Sequence, residues 1–184
     1  MDISWGSPID GEFNTASDWS GGATPGASDT AVLGAPTAIA YAVTAADSQT
    51  VDVLQMASNA TLDVTGGDFI DRSGSASSTD AGTIDVAAGA TFISAGLLTS
   101  TGTITLDGTW CNIGTIDVNG NLQPQPQNAN LIIGSDGATL TGGGTVNPNG
   151  SYVGTASGGV LTNVDNTIVG SANTIRADTW ATAD

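Results

Sequence analysis

The sequence predicts an all-β chain folded as a parallel β-solenoid of short strands, and three observations predict it. The first is a repeated phrase. Gly82-Thr83-Ile84-Asp85-Val86 returns letter for letter as Gly114-Thr115-Ile116-Asp117-Val118, with Gly102-Thr103-Ile104-Thr105-Leu106 between them and Ala60-Thr61-Leu62-Asp63-Val64 before them. Each is a small residue followed by an apolar–polar alternation, a half-buried strand launched from a turn. Copies this close point to one unit stacked on itself. The second is composition: 39% hydrophobic but only 5% aromatic, with 26 glycines. Small and β-branched side chains suit narrow stacked layers. The third is the lack of helical periodicity: the nearest run, residues 50–60, alternates better than it follows a 3.6 period.

Taken in order, residues 1–38 read as a loop-rich N-terminal cap. Trp5, Phe13 and Trp19 stand among turn clusters such as Ser20-Gly21-Gly22 and Pro25-Gly26, and could fold over the first strand layer to cover its open edge. Residues 39–184 read as the solenoid. Its predicted strands are Ile39–Thr44, Thr50–Met56, Ala60–Val64, Asp68–Asp71, Thr83–Val86, Thr91–Ser94, Thr103–Leu106, Thr115–Val118, Leu131–Ile133, Ala138–Leu140, Gly144–Val146, Val160–Val164 and Asn166–Val169. Gly, Asn, Asp or Ser punctuates nearly every gap. Two segments read as loops leaving the coil. Ser73–Thr79 is small and polar, and Asn121–Asn128 carries prolines that cannot donate ladder hydrogen bonds. Strand starts every 10–12 residues or so also fit a β-sandwich. The near-verbatim phrases, the shortness of the strands and the recurrence of Asn and Thr at like offsets favour the solenoid. With coils of roughly 20–30 residues, about five to seven coils are expected.

Charge narrows the functions. The chain has 18 acidic residues, two basic ones (Arg72 and Arg176) and no histidine, for a net charge of −16. Nothing neutralises phosphates, which argues against nucleic acid, and adsorption to anionic membranes is disfavoured for the same reason. The acidic residues leave solubility, cation binding or a basic partner. The single Cys111 excludes an internal disulfide and reads as a small buried hydrophobe, because a cysteine nucleophile would need a base and no histidine exists. No run is long and apolar enough to cross a membrane as a helix. The start, Met1-Asp2-Ile3-Ser4-Trp5, lacks a basic and apolar leader pattern, so a leaderless chain or a piece of a longer protein is expected.

Three stretches resemble the repeat regions of large bacterial surface and secreted proteins, the autotransporter-passenger-like and adhesin-like β-solenoids. They are Gly11–Gly34, Gln49–Gly67 and Leu161–Ile175, which with the Gly-Thr-Ile phrases span most of the chain. The resemblance implies a right-handed parallel β-helix displayed outside the cell. A solenoid also leaves backbone donors and acceptors free at both ends, so a structural or adhesive module that self-associates end to end into a surface fibre is expected, with a surface glycan or protein as the other candidate partner. Two departures are plain: such proteins run to many hundreds of residues, and no translocator or secretion signal is recognisable here.

Catalytic equipment is sparse. A polysaccharide lyase on a β-helix would need a Lys or Arg base and acidic calcium ligands, and a hydrolase would need paired carboxylates. The best local constellation is Asp68-Phe69-Ile70-Asp71-Arg72, whose simpler reading is a surface ion pair at a turn. Asp85 and Asp117 share a phrase position and could line one face, although polar residues of an alternating strand ordinarily face water. Asp63, Asp68 and Asp71 could supply hard oxygen ligands to Ca²⁺, but the glycine-rich calcium-binding nonapeptide is absent. The Thr-x-Thr pattern at Thr101-Gly102-Thr103-Ile104-Thr105 resembles the threonine rows of ice-binding solenoids, yet it does not persist from coil to coil. The expectation is a non-catalytic structural or adhesive module. A glycan- or host-surface-binding module, using Trp110, Tyr152 or Trp180, is the first alternative. A carbohydrate-active enzyme is the second.

Overall fold

The computed structural model describes residues 1–34, 37–74, 76–124, 129–147, 152–155, 158–170, 175–176 and 180–182. The chain is a parallel β-solenoid of about 6 turns. Every pairing between its strands is parallel; the single antiparallel contact among the described residues is an isolated bridge between Trp5 and Trp19. That pattern excludes the sandwich, which needs antiparallel neighbours.

Each full coil contributes a strand to three faces in turn. The first face runs through Asp2–Ser4, Thr30–Leu33, Val53–Met56, Ser77–Asp80 and Leu97–Ser100. The second runs through Gly11–Glu12, Tyr41–Ala45, Ala60–Val64, Thr83–Val86, Thr103–Leu106, Asn121–Pro124, Thr145–Val146 and Thr167–Ile168. The third runs through Gln49–Val51, Asp68–Asp71, Thr91–Ser94 and later Tyr152–Thr155. Two long strands, Thr109–Val118 and Asn130–Thr141, turn the corner from the third face to the first, with a register shift between Asn112 and Gly114. They join those two faces into one continuous sheet.

Alternation turns one side chain of each pair inward, and parallel register stacks like on like. Leu62, Ile84, Ile104, Leu122 and Val146 form one buried column. Phe69, Phe92, Trp110, Leu131 and Val153 form another. The aromatics of the second column continue upward: Phe13 meets Phe69 edge-on at 5.4 Å and Trp19 meets Phe13 at 4.9 Å. A spine from Trp19 to Trp110 therefore fills the upper part of the interior, each contact adding to the area it buries.

The repeated glycine has a packing cause. A Cβ at Gly82 would run into the Ala60 carbonyl, one at Gly102 into the Gly82 carbonyl, and one at Gly120 into the Gly102 carbonyl. The coils approach most closely at this corner, and only a residue without a side chain fits.

Several expectations need correction. The parallel sheets do not begin at residue 39: Asp2–Ser4 pairs with Thr30–Leu33, and Gly11–Glu12 pairs with Val43 and Thr44. Trp5, Phe13 and Trp19 are buried at this end of the stack, as the residues of an end plug would be. Ser77–Asp80 is a strand, paired with Gln55–Met56 and Leu97–Ser100. Its inward residues are Ser78 and Asp80, so it carries no hydrophobic alternation to betray it. Asn121–Pro124 is a strand in register with Thr103–Leu106. Among the described residues its pairing to the next coil covers Asn121 beside Thr145 and Leu122 beside Val146. Residues 125–128 lie outside the described residues.

Candidate functional site

The polar groups of the interior gather where the third face turns into the first. Asp71 follows Phe69 by two residues and so points inward, where it is fully buried. Its Oδ1 accepts the Ser73 N–H at 3.2 Å and the Ser78 hydroxyl at 2.8 Å. The Ser78 oxygen in turn accepts the Leu54 N–H at 3.0 Å. One step along, Asp80 accepts the Ser100 hydroxyl at 2.8 Å and the Gly82 N–H at 2.9 Å. In the following coils Ser94 accepts the Trp110 indole N–H at 2.8 Å and donates to Asn112 Oδ1 at 2.7 Å. Asn112 donates onward to the Gly114 carbonyl at 3.0 Å.

This seam fastens the corner of successive coils through side chains. Burial pushes the Asp71 carboxyl up to about 6, against the lowering effect of the hydrogen bonds from Ser78 and Ser73. Burial also raises Asp80, again offset by Ser100 and Gly82. Among the described residues Asp71 Oδ2 has no hydrogen-bond partner of good geometry. Asp71, Ser73, Ser78 and Asp80 are all closed to solvent. A carboxyl in this position serves the fold; a polymeric substrate cannot reach it.

The predicted metal ligands do not converge. Asp63 faces outward on the second face, Asp68 is exposed at the start of the third, and Asp71 points inward. Among the described residues no group of three or more His, Cys, Asp or Glu side chains could hold a metal ion. Arg72 is exposed and, among the described residues, forms no ion pair with Asp68 or Asp71, because Asp71 turns away into the seam. Asp85 and Asp117 do not share a face: Asp85 stacks on Asp63 in the second, and Asp117 pairs with Thr99 in the first. Burial first, then the neighbouring charges of Asp85 and Asp10, raises Asp63; burial and then Asp107 raises Asp85.

The outer surfaces differ from face to face. On the second face one row reads Thr61, Thr83, Thr103, Asn121, Thr145 and Thr167 in strict register. This threonine column was not legible as a doublet, because its companion row carries Thr44, Asp63, Asp85, Thr105 and Gln123. An open groove of about 360 Å³ lies at the corner between the third and first faces in the later coils. Thr115, Thr139 and Thr162, stacked in register, line it together with Asp136, Gly114 and Gly158. Trp110 is buried in the spine, whereas Tyr152 is exposed. The side chains of Trp180 and Arg176 lie outside the described residues. Cys111 is half-buried on the outer side of the third face, and burial raises its thiol.

No family model, curated protein or solved structure matches this chain.

Proposed function

We propose that this chain is a non-catalytic structural and adhesive module displayed outside a bacterial cell, as its resemblance to surface β-solenoids implies. One observation carries the reading. The stack presents long in-register polar rows to solvent, while its closest-set carboxyl and hydroxyl groups are sealed inside as fasteners. Regular outer rows suit contact with an extended surface, and sealed polar groups cannot turn over a substrate. Growth of a fibre through the N-terminal end is disfavoured. There the Ser4 N–H is already taken by Ser20 Oγ at 2.9 Å, and Trp5, Phe13 and Trp19 fill the interior.

Small-angle scattering with and without Ca²⁺ should report a short rod, roughly 30 Å along the stack for about 6 turns at ~4.8 Å each. Antibody labelling of intact source cells should light their surface. Label found only after lysis would overturn the placement, and turnover of a polysaccharide lost on Asp71→Asn would overturn the non-catalytic reading.

A second reading rests on the groove beside Thr115, Thr139 and Thr162. Its hydroxyls and the Asp136 carboxylate suit a neutral glycan, since an acidic one would meet a chain of net charge −16. A glycan array with hits weakened by Thr139→Val supports it; an array without hits removes it.

A further inference from the structure

One outer row differs in kind from the rest. On the third face Thr50, Ile70, Ile93, Cys111, Ile132 and Gly154 lie side by side in register on the solvent side of the sheet. Ile70, Ile93, Cys111 and Ile132 are half-buried, each covered partly by the next. Gly154, itself buried, adds no side chain to the next rung; the ring of Tyr152, 41% exposed, lies where its Cβ would be, and Arg176 follows in register. The result is an apolar stripe across four successive coils, Ile70, Ile93, Cys111 and Ile132, with an aromatic ring beside the rung that follows. The corresponding row of the second face is Thr44, Asp63, Asp85, Thr105 and Gln123. That of the first face is Gln55, Thr79, Thr99, Asp117 and Thr141. Single apolar residues on a surface are ordinary, but an unbroken row across successive coils marks a contact surface.

The borders of the stripe say what would cover it. Exposed Asp47, Asp68 and Asp107 stand along the corner with the second face, and exposed Asp52 and Asp136 along the corner with the first. Arg72 is exposed beside them, and Arg176 stands next in register after Gly154. From Ile70 to Gly154 the row spans roughly 19 Å at ~4.8 Å per rung. A helix laid along it would need about 13 residues at 1.5 Å each, and its 5.4 Å pitch sets close to one apolar side chain per rung. A strand laid the same way repeats its side chains about every 6.6 Å and would fall out of step.

We infer that the outer stripe of the third face, Ile70–Ile93–Cys111–Ile132 with Tyr152, docks a cationic amphipathic helix of a partner protein. This goes beyond the proposed structural role, and it holds or fails independently of where the protein is displayed. The apolar side of the helix meets the stripe, and its Lys and Arg side chains reach the aspartates at the two borders.

The test uses the full chain and a synthetic leucine–lysine peptide of about 14 residues patterned with a helical period, beside a scrambled peptide of the same composition. Cys111 is the single cysteine of the chain and sits mid-stripe, so its rate of alkylation by iodoacetamide reads occupancy directly. The expected result is salt-sensitive binding of the patterned peptide, with alkylation of Cys111 slowed at least tenfold. Ile93→Thr with Ile132→Thr should weaken binding at least tenfold; threonine keeps the β-branch of the strand. Tyr152→Ser gives a second variant at the exposed end. Equal binding of the scrambled peptide, or Cys111 left unprotected, overturns the inference. So does a homodimer of the chain alone in which Cys111 is already protected, since that makes a second copy the occupant.

Discussion

Replacing Asp71 by asparagine should make the protein less sensitive to pH and more stable at neutral and alkaline pH. The Asp71 carboxyl is closed to solvent, and burial raises its pKa from the ordinary 3.8 to about 6. The folded state therefore holds this proton more tightly than the unfolded state does. Its contribution to stability is fully present below about pH 3.8 and is lost as pH rises through about 6. That difference amounts to about 3 kcal/mol between acid and neutral solution. Asparagine can still accept from Ser73 N–H and the Ser78 hydroxyl through its oxygen, and it never ionises. Urea unfolding at pH 4 and pH 8, followed by the fluorescence of the buried Trp5, Trp19 and Trp110, measures the slope in both proteins. The native chain should lose stability on going to pH 8, and Asp71→Asn should remove about 2.5 kcal/mol of that loss. Asp80, Asp63 and Asp85 are raised in the same direction, so some slope should remain in the variant. A native chain equally stable at both pH values, or a variant with the full native slope, would refute the account of the seam.

Further outcomes follow from packing and charge. Phe92→Ala opens a cavity between Phe69 and Trp110, each 5.9 Å from the Phe92 ring, and should cost about 3–5 kcal/mol in the same urea assay. Gly102→Ala sets a Cβ against the Gly82 carbonyl and should cost about 1–3 kcal/mol, whereas Gly74→Ala, with open space around it, should stay within about 0.5 kcal/mol; paired melting curves compare them. Asp63→Asn relieves repulsion with Asp85 and Asp10, so it should raise Tm at low ionic strength, with the gain shrinking in ~1 M salt.

Reading the sequence failed where local pattern and neighbouring coil disagree. Ser77–Asp80 looks like a loop because its inward residues are Ser78 and Asp80. It is a strand because Asp71 lies where it accepts from Ser78 and Ser100 where it donates to Asp80. Asn121–Pro124 looks broken by proline, yet it lies in register with Thr103–Leu106 of the preceding coil. The apolar outer stripe was equally hidden. Ile70, Ile93, Cys111 and Ile132 each read as one β-branched or small residue in a short strand, and only register makes them neighbours.

The all-β class and most of the strands are local properties, and the sequence determined them alone: a period of two, a small or turn residue at most launch points, and few large side chains. Which face a strand joins is not local. From Thr83–Val86 the chain passes Thr91–Ser94, Leu97–Ser100, Thr103–Leu106 and Thr109–Asn112 before the phrase returns. With three faces to a coil, the second copy lands on the first face, one short of the face it left. Identical letters therefore stack on different partners: Asp85 beside Asp63, Asp117 beside Thr99. Only the closed stack decides those contacts, because parallel register joins residues a whole coil apart, and it is there that the buried seam and the outer stripe arise.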